Sequence, residues 1–124
     1  MTITIVASWV LVLFFVLASS IKTLAWHQKV FETQLAFFKS YGLNRQIMFL
    51  VGVLEFSGSA MLVLGLLGWA SVLFSLIGAT LLAFVSVGAL YFHVRFDTWQ
   101  AGLPAMITLL LSSYVASPIL GLLL

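Results

Sequence analysis

Two ionisable side chains stand where hydrocarbon is expected. Glu55 interrupts an apolar run from Ile47 to Leu67, and Lys22 follows another that begins at Ile3 and ends at Ile21. A carboxyl group in hydrocarbon must take up a proton, pair with a cation or face a wet cavity, because a lone charge there costs about 2.5–3.5 kcal/mol or more. Such a carboxyl either ties two helices together through a hydrogen bond or does chemistry, anchoring the polar head of a ligand or handling a proton. Counting from Arg45 at about 1.5 Å per residue puts Glu55 about 15 Å into a core about 30 Å thick, near its midplane. Ser59 follows one turn later, and Gly52 and Gly58 let a neighbouring helix approach. The same depth count leaves about 10–15 Å between the backbones of Lys22 and Glu55, so a direct pair needs helix tilt or a bridging water.

A third candidate is His93. Ser71, Ser75, Ala79, Leu82, Ser86, Ala89 and His93 recur at helical spacing and form one stripe of mostly small residues. The stripe is a packing seam, and His93 ends it pointing into the bundle, either as a hydrogen-bonded interface histidine or as a ligand contact or proton relay. Arg95 and Asp97 follow; they form a local ion pair, or Asp97 restrains His93, with Tyr91 close by. The candidate site is therefore Glu55, Lys22, His93, Ser59 and Ser86, surrounded by Arg95, Asp97 and Tyr91. No residue is assigned as catalytic or as a metal ligand. A haem held by His27 and His93 is disfavoured, because histidines at helix ends are commonly interfacial and nothing in the sequence supports their ligation.

The elements that must position these groups follow from composition. Of 124 residues, 64% are apolar and 6% are charged, against about a quarter charged in soluble domains. The chain is all-α and belongs in a bilayer, as a single domain of four transmembrane helices over about 3–25, 45–67, 70–93 and 103–123. The first lacks the basic leader and cleavage pattern of a secretory signal and is read as a retained span. A Gly-rich turn around Gly65, Gly68 and Trp69 makes the second and third an antiparallel hairpin. Pro104 suits the first turn of the fourth, and Pro118 is expected to bend its last third.

Between the first two spans, Val30, Phe31, Leu35 and Phe38 recur at helical spacing opposite Lys29, Glu32, Thr33, Lys39 and Ser40. The pattern predicts an amphipathic interfacial helix over about 28–40, either a simple connector on the headgroups or a lid over a cavity. Gly42 suits its left-handed C-terminal stop and Asn44 caps the next helix. All five basic residues, Lys22, Lys29, Lys39, Arg45 and Arg95, fall on the side of the two longer connectors. The positive-inside rule places those connectors in the cytoplasm and both termini outside, across the inner membrane if the source is bacterial. With no cysteine, disulfides, thiol redox pairs, iron–sulfur clusters and thiolate zinc sites are excluded. Five dispersed cations make no nucleic-acid surface.

The order of residues carries a resemblance. Ile21-Lys22 closing the first helix, Phe37-Phe38-Lys39-Ser40-Tyr41-Gly42-Leu43, Gly52-Val53-Leu54-Glu55 and Gly88-Ala89-Leu90-Tyr91-Phe92-His93 together resemble the DoxX-like family of small four-helix membrane proteins. Thr4-Ile5-Val6-Ala7, Leu13-Phe14-Phe15-Val16, Leu54-Glu55 and Phe92-His93 are also similar to the related animal acetylcholine-receptor chaperones. Asn44 departs from the proline often found there. The resemblance implies a compact four-helix bundle in a functionally mixed family: some members are similar to subunits of a thiosulfate:quinone oxidoreductase, and the animal relatives assist receptor assembly.

Three functions from different classes fit these features. The first is a membrane protein whose polar intramembrane pocket binds a lipophilic small molecule, quinone- or lipid-like, as an accessory to an oxidoreductase system. The second is an assembly factor or partner subunit of another membrane protein. The third is a small proton-coupled transporter, which a chain this short would build as a homo-oligomer. Without a thiol or a flavin or dinucleotide fingerprint, the isolated chain is not expected to be an enzyme, and a quinone-like lipophile is the one cofactor class that suits it. The expected partners are the lipid bilayer and a membrane protein or a second copy of the chain, with no nucleic acid.

Overall fold

A computed structural model describes residues 2–118 and residue 121. The described chain is all-helical: α1 (Thr2–Leu24), α2 (Gln28–Ser40), α3 (Arg45–Leu66), α4 (Val72–Phe96) and α5 (Leu103–Ala116), with one 3₁₀ turn, Gln100–Gly102, before α5. Helices α1, α3 and α4, of 23, 22 and 25 residues, are long and apolar enough to cross a membrane. The 14 described residues of α5 are apolar but shorter than a span, and most of the expected stretch to 123 beyond Pro118 lies outside the described residues.

The four apolar helices pack in a ring. α3 lies against α1 and α4, α4 against α5, and α5 returns to α1. The common core of Leu11, Val12, Phe15, Leu62, Ala79, Leu82 and Val115 is buried, while the outer faces of the same helices expose large apolar side chains such as Ile3, Leu13, Phe84 and Leu110. Apolar outside as well as inside is the arrangement of helices solvated by lipid. Buried hydroxyls turn back on their own helices, as Ser8 does on Thr4 and Ser112 on Thr108, so few polar groups are left unmet in hydrocarbon.

Turn chemistry sets the joints. Gly42 has φ +80°, the left-handed stop expected after α2, and the Leu43 N–H returns to the Phe38 carbonyl at 2.9 Å. Asn44 caps α3 by accepting from the Ile47 N–H at 3.0 Å, and Gly68, at φ +74°, turns the α3–α4 hairpin. His27 caps α2 through Nδ1, which accepts from the Val30 N–H at 3.3 Å. Helix α2 has no buried residue, yet its two faces differ: Lys29, Glu32, Thr33 and Lys39 are exposed, whereas Phe31, Gln34, Leu35, Phe37 and Phe38 are half-buried against the bundle.

Candidate functional site

The site begins with helix register. A Cβ placed on Gly52 would meet the Cβ of Lys22 at 3.0 Å and Cγ2 of Thr23 at 2.8 Å, so the end of α1 sits level with Gly52. Glu55 is less than one turn further along α3. The backbone gap of about 10–15 Å expected from depth counting is therefore too large. That count assumed that α1 and α3 end in the same plane, whereas α3 runs about two turns past Lys22, and Arg45 reaches back to donate to the Thr23 carbonyl at 3.1 Å.

This register lets Lys22 reach inward. Its Nζ lies 3.0 Å from Oε1 of Glu55, with the two side chains 11% and 4% exposed. At that distance the amine is within hydrogen-bond reach of the carboxyl oxygen, and no other described residue partners Oε1. The pair needs no bridging water.

Beside the pair is a cavity of about 530 Å³ between α3 and α4, roofed by α2. Ile47, Val51 and Leu54 line its α3 wall, Leu81, Phe84, Val85, Gly88, Ala89 and Phe92 its α4 wall, and Gln34, Phe37, Phe38 and Tyr41 its roof. Lys22 and Glu55 form the inner polar end and His93 the outer one. Because side chains lean toward the N-terminus of their helix, Glu55 on α3 and His93 on antiparallel α4 lean toward each other. Leu54 and Phe84 line the cavity and are also 45% and 71% exposed on the outer surface, so the cavity borders the outer face of the bundle there.

His93 is held by a cluster that sequence reasoning only half anticipated. Its Nδ1 lies 2.8 Å from Oδ2 of Asp97 and 3.0 Å from the Tyr41 hydroxyl, which itself donates to the same Asp97 oxygen. With the carboxylate as acceptor, the contacts assign the imidazole proton to Nδ1, and Nε2 makes no hydrogen bond to a described residue. Burial, and then the hydrogen bond to the Asp97 carboxylate, push the Tyr41 phenol well above its ordinary pKa. Tyr41 also stacks on Phe92 with ring centroids 5.1 Å apart, and Phe37 meets the His93 ring edge-on at 5.5 Å. Tyr41 thus ties the α2–α3 connector to the end of α4. The signal was the Phe37-Phe38-Tyr41 group placed just before the Gly42 stop, opposite Phe92 and Phe96 once the hairpin forms.

The other candidates stand elsewhere. Ser59 lies on the correct face, but its hydroxyl donates to the Glu55 carbonyl at 2.8 Å and does not line the cavity. Ser86 turns toward α5, bonding the Leu82 carbonyl and the Thr108 hydroxyl, and is also outside the lining. Arg95 faces outward, donating to the Tyr91 hydroxyl at 2.7 Å and covering the Phe96 ring; neither Arg95 nor Tyr91 lines the cavity, and Arg95 forms no ion pair with Asp97. Asp97 partners His93 instead. Among the described residues no group of three His, Cys, Asp or Glu side chains could hold a metal ion.

A family model for the DoxX-like family matches residues 6–115. The chain belongs to the DoxX-like family. The match takes in every residue of the cavity, from Lys22 to His93, so the site of this DoxX-like protein lies wholly within the shared region. No curated protein and no solved structure matches the chain.

Proposed function

We propose that this DoxX-like protein is a four-helix integral membrane protein that binds a lipophilic small molecule, quinone- or lipid-like, between α3 and α4. The observation that carries the reading is the Lys22–Glu55 pair lining an otherwise largely apolar cavity of about 530 Å³, a size suited to a small ligand. The border with the outer face at Leu54 and Phe84 suits a molecule that arrives from hydrocarbon with its tail trailing into lipid. The pair supplies a polar end at a depth where water is scarce and hydrogen bonds count for more.

The same reading lays α2 on the cytoplasmic headgroups. Its exposed Lys29 and Lys39 meet phosphates there while its half-buried aromatic face covers the cavity. Arg45 and Arg95 are on that side, Trp69 belongs to the opposite interface, and α5 together with the residues after it completes the fourth span. The chain then serves as a carrier or accessory subunit that presents its ligand to a membrane oxidoreductase, with chemistry supplied by the partner.

The test is mass spectrometry of solvent extracts from mildly solubilised protein, with an absorbance spectrum, for wild type and Glu55→Gln. A stoichiometric lipophile present in wild type and depleted in the variant is the expected result. Bulk lipid alone in both samples would overturn the ligand-binding reading and favour an assembly role.

A further inference from the structure

The polar end of the cavity carries information about the head group it takes. An ammonium has three N–H donors. Lys22 lines the cavity and its Nζ has one polar partner among the described residues, Oε1 of Glu55 at 3.0 Å, so donors remain for a guest. Among the other lining residues Gln34 carries a buried amide oxygen with no hydrogen-bond partner among the described residues, while Val51, Leu54, Val85 and Gly88 have no polar side chain. A hydrocarbon guest would leave those donors unmet at the cost of burying polar hydrogens.

Charge narrows the class further. Lys22 and Glu55 sum to zero whether the proton rests on the amine or on the carboxyl. A carboxylate guest at Lys22 would stand beside the Glu55 oxygens, and an ammonium guest at Glu55 would stand beside Nζ; each adds a buried net charge with a like charge within a few ångströms. A neutral carbonyl oxygen accepts from Nζ and adds no charge.

Resting on the ligand-binding reading above, we propose that the cavity selects neutral, carbonyl-bearing lipophiles over fatty acids, alkyl amines and plain alkanes. The carbonyl oxygen takes the free donors of Lys22, the first part of the chain packs between Val51 and Val85, and the remainder leaves past Leu54 and Phe84. Two sources could supply such a group: the ester carbonyls of the bilayer's own lipids, or a separate ketone or quinone dissolved in it.

The experiment compares four probes with matched tails, a methyl ketone, a carboxylic acid, a primary amine and the alkane, by their binding to the full chain in nanodiscs. The expected result is that the ketone binds about tenfold tighter than the other three, the effect of one hydrogen bond to a charged donor. Its C=O stretch should also move to lower wavenumber than in alkane. The double variant Lys22→Met/Glu55→Leu keeps the site neutral and well filled, so it folds where the single variant can fail. It should bring the ketone down to the alkane's affinity and abolish the infrared shift. Weaker ketone binding in ester-lipid than in ether-lipid nanodiscs would identify bilayer esters as the natural source, and equal binding a separate carbonyl compound. Tightest binding of the acid or the amine would overturn the head-group assignment while leaving the cavity reading standing. Failure of all four probes would overturn the cavity reading itself.

Discussion

Gly78 and Gly88 lie on the same helix and are both glycine, yet they occupy opposite kinds of space. A Cβ on Gly78 would fall 2.5 Å from the Gly58 carbonyl oxygen and 2.9 Å from the Leu62 backbone nitrogen; one on Gly88 would meet nothing within 4 Å. The first is a backbone-to-backbone weld between α4 and α3, joined by Ser75, whose hydroxyl donates across to the Leu62 carbonyl at 3.2 Å. The second borders the cavity. The pair of helices is pinned near its hairpin and separates beyond Glu55, where α2 with its aromatic side chains covers the gap. The side of α4 that faces α3 therefore holds two features in series: a seam at Ser75 and Gly78 that sets the spacing of the helices, and an opening at Gly88 that the seam holds in place.

That contrast can be broken most forcefully at the seam. Gly78→Ala should destabilise the bundle by about 3 kcal/mol, because the atoms it meets are backbone and cannot move without shifting a helix. Unfolding by denaturing detergent in mixed micelles measures this, and a loss below that of Gly88→Ala would contradict the comparison. Lys22→Met comes next, at about 2 kcal/mol for an orphaned buried carboxyl, limited because that carboxyl can take up a proton. Adding Glu55→Leu should recover most of the loss. At the opening, Gly88→Leu should leave stability within about 1 kcal/mol of wild type and remove the co-purifying lipophile, since the new side chain enters open space.

The smallest effect concerns the cover. Tyr41→Phe removes the hydroxyl that joins α2 to His93 and Asp97 and should cost about 1 kcal/mol, read as faster amide exchange in α2. Because folding raises the phenol's pKa, its contribution is complete below the unfolded value of about 10 and is lost as pH rises above it. Exchange in wild-type α2 should therefore accelerate above about pH 10 beyond the intrinsic base-catalysed rate, an excess that Tyr41→Phe lacks.

Much of the frame was legible because each signal is local. The apolar runs mark α1, α3 and α4, the Lys29–Ser40 pattern marks α2, and Gly42 and Asn44 occupy a stop and a cap that their chemistry suits. The candidate site was legible only where an ionisable side chain stood out against apolar neighbours, at Lys22, Glu55 and His93. Ser59 and Ser86 share the right faces, but periodicity cannot say that a serine hydroxyl will be spent on a carbonyl one turn back or on Thr108 of the next helix. Tyr41 escaped because its partners lie more than fifty residues away and meet it only after the hairpin has folded. The Lys22–Glu55 approach depended on the relative stagger of α1 and α3, which Gly52 sets through contact rather than through any count along one helix.

The central claim is that the gap between α3 and α4, rather than the general lipid-facing surface, receives the ligand. Photolabelling in nanodiscs with a methyl ketone carrying a diazirine beside its carbonyl, mapped by peptide mass spectrometry, tests it directly. The account predicts labels concentrated at residues 47–55 and 81–93, strongly reduced in Gly88→Leu. Labels spread equally over the exposed faces at Leu13 and Leu110, unchanged in that variant, would contradict it.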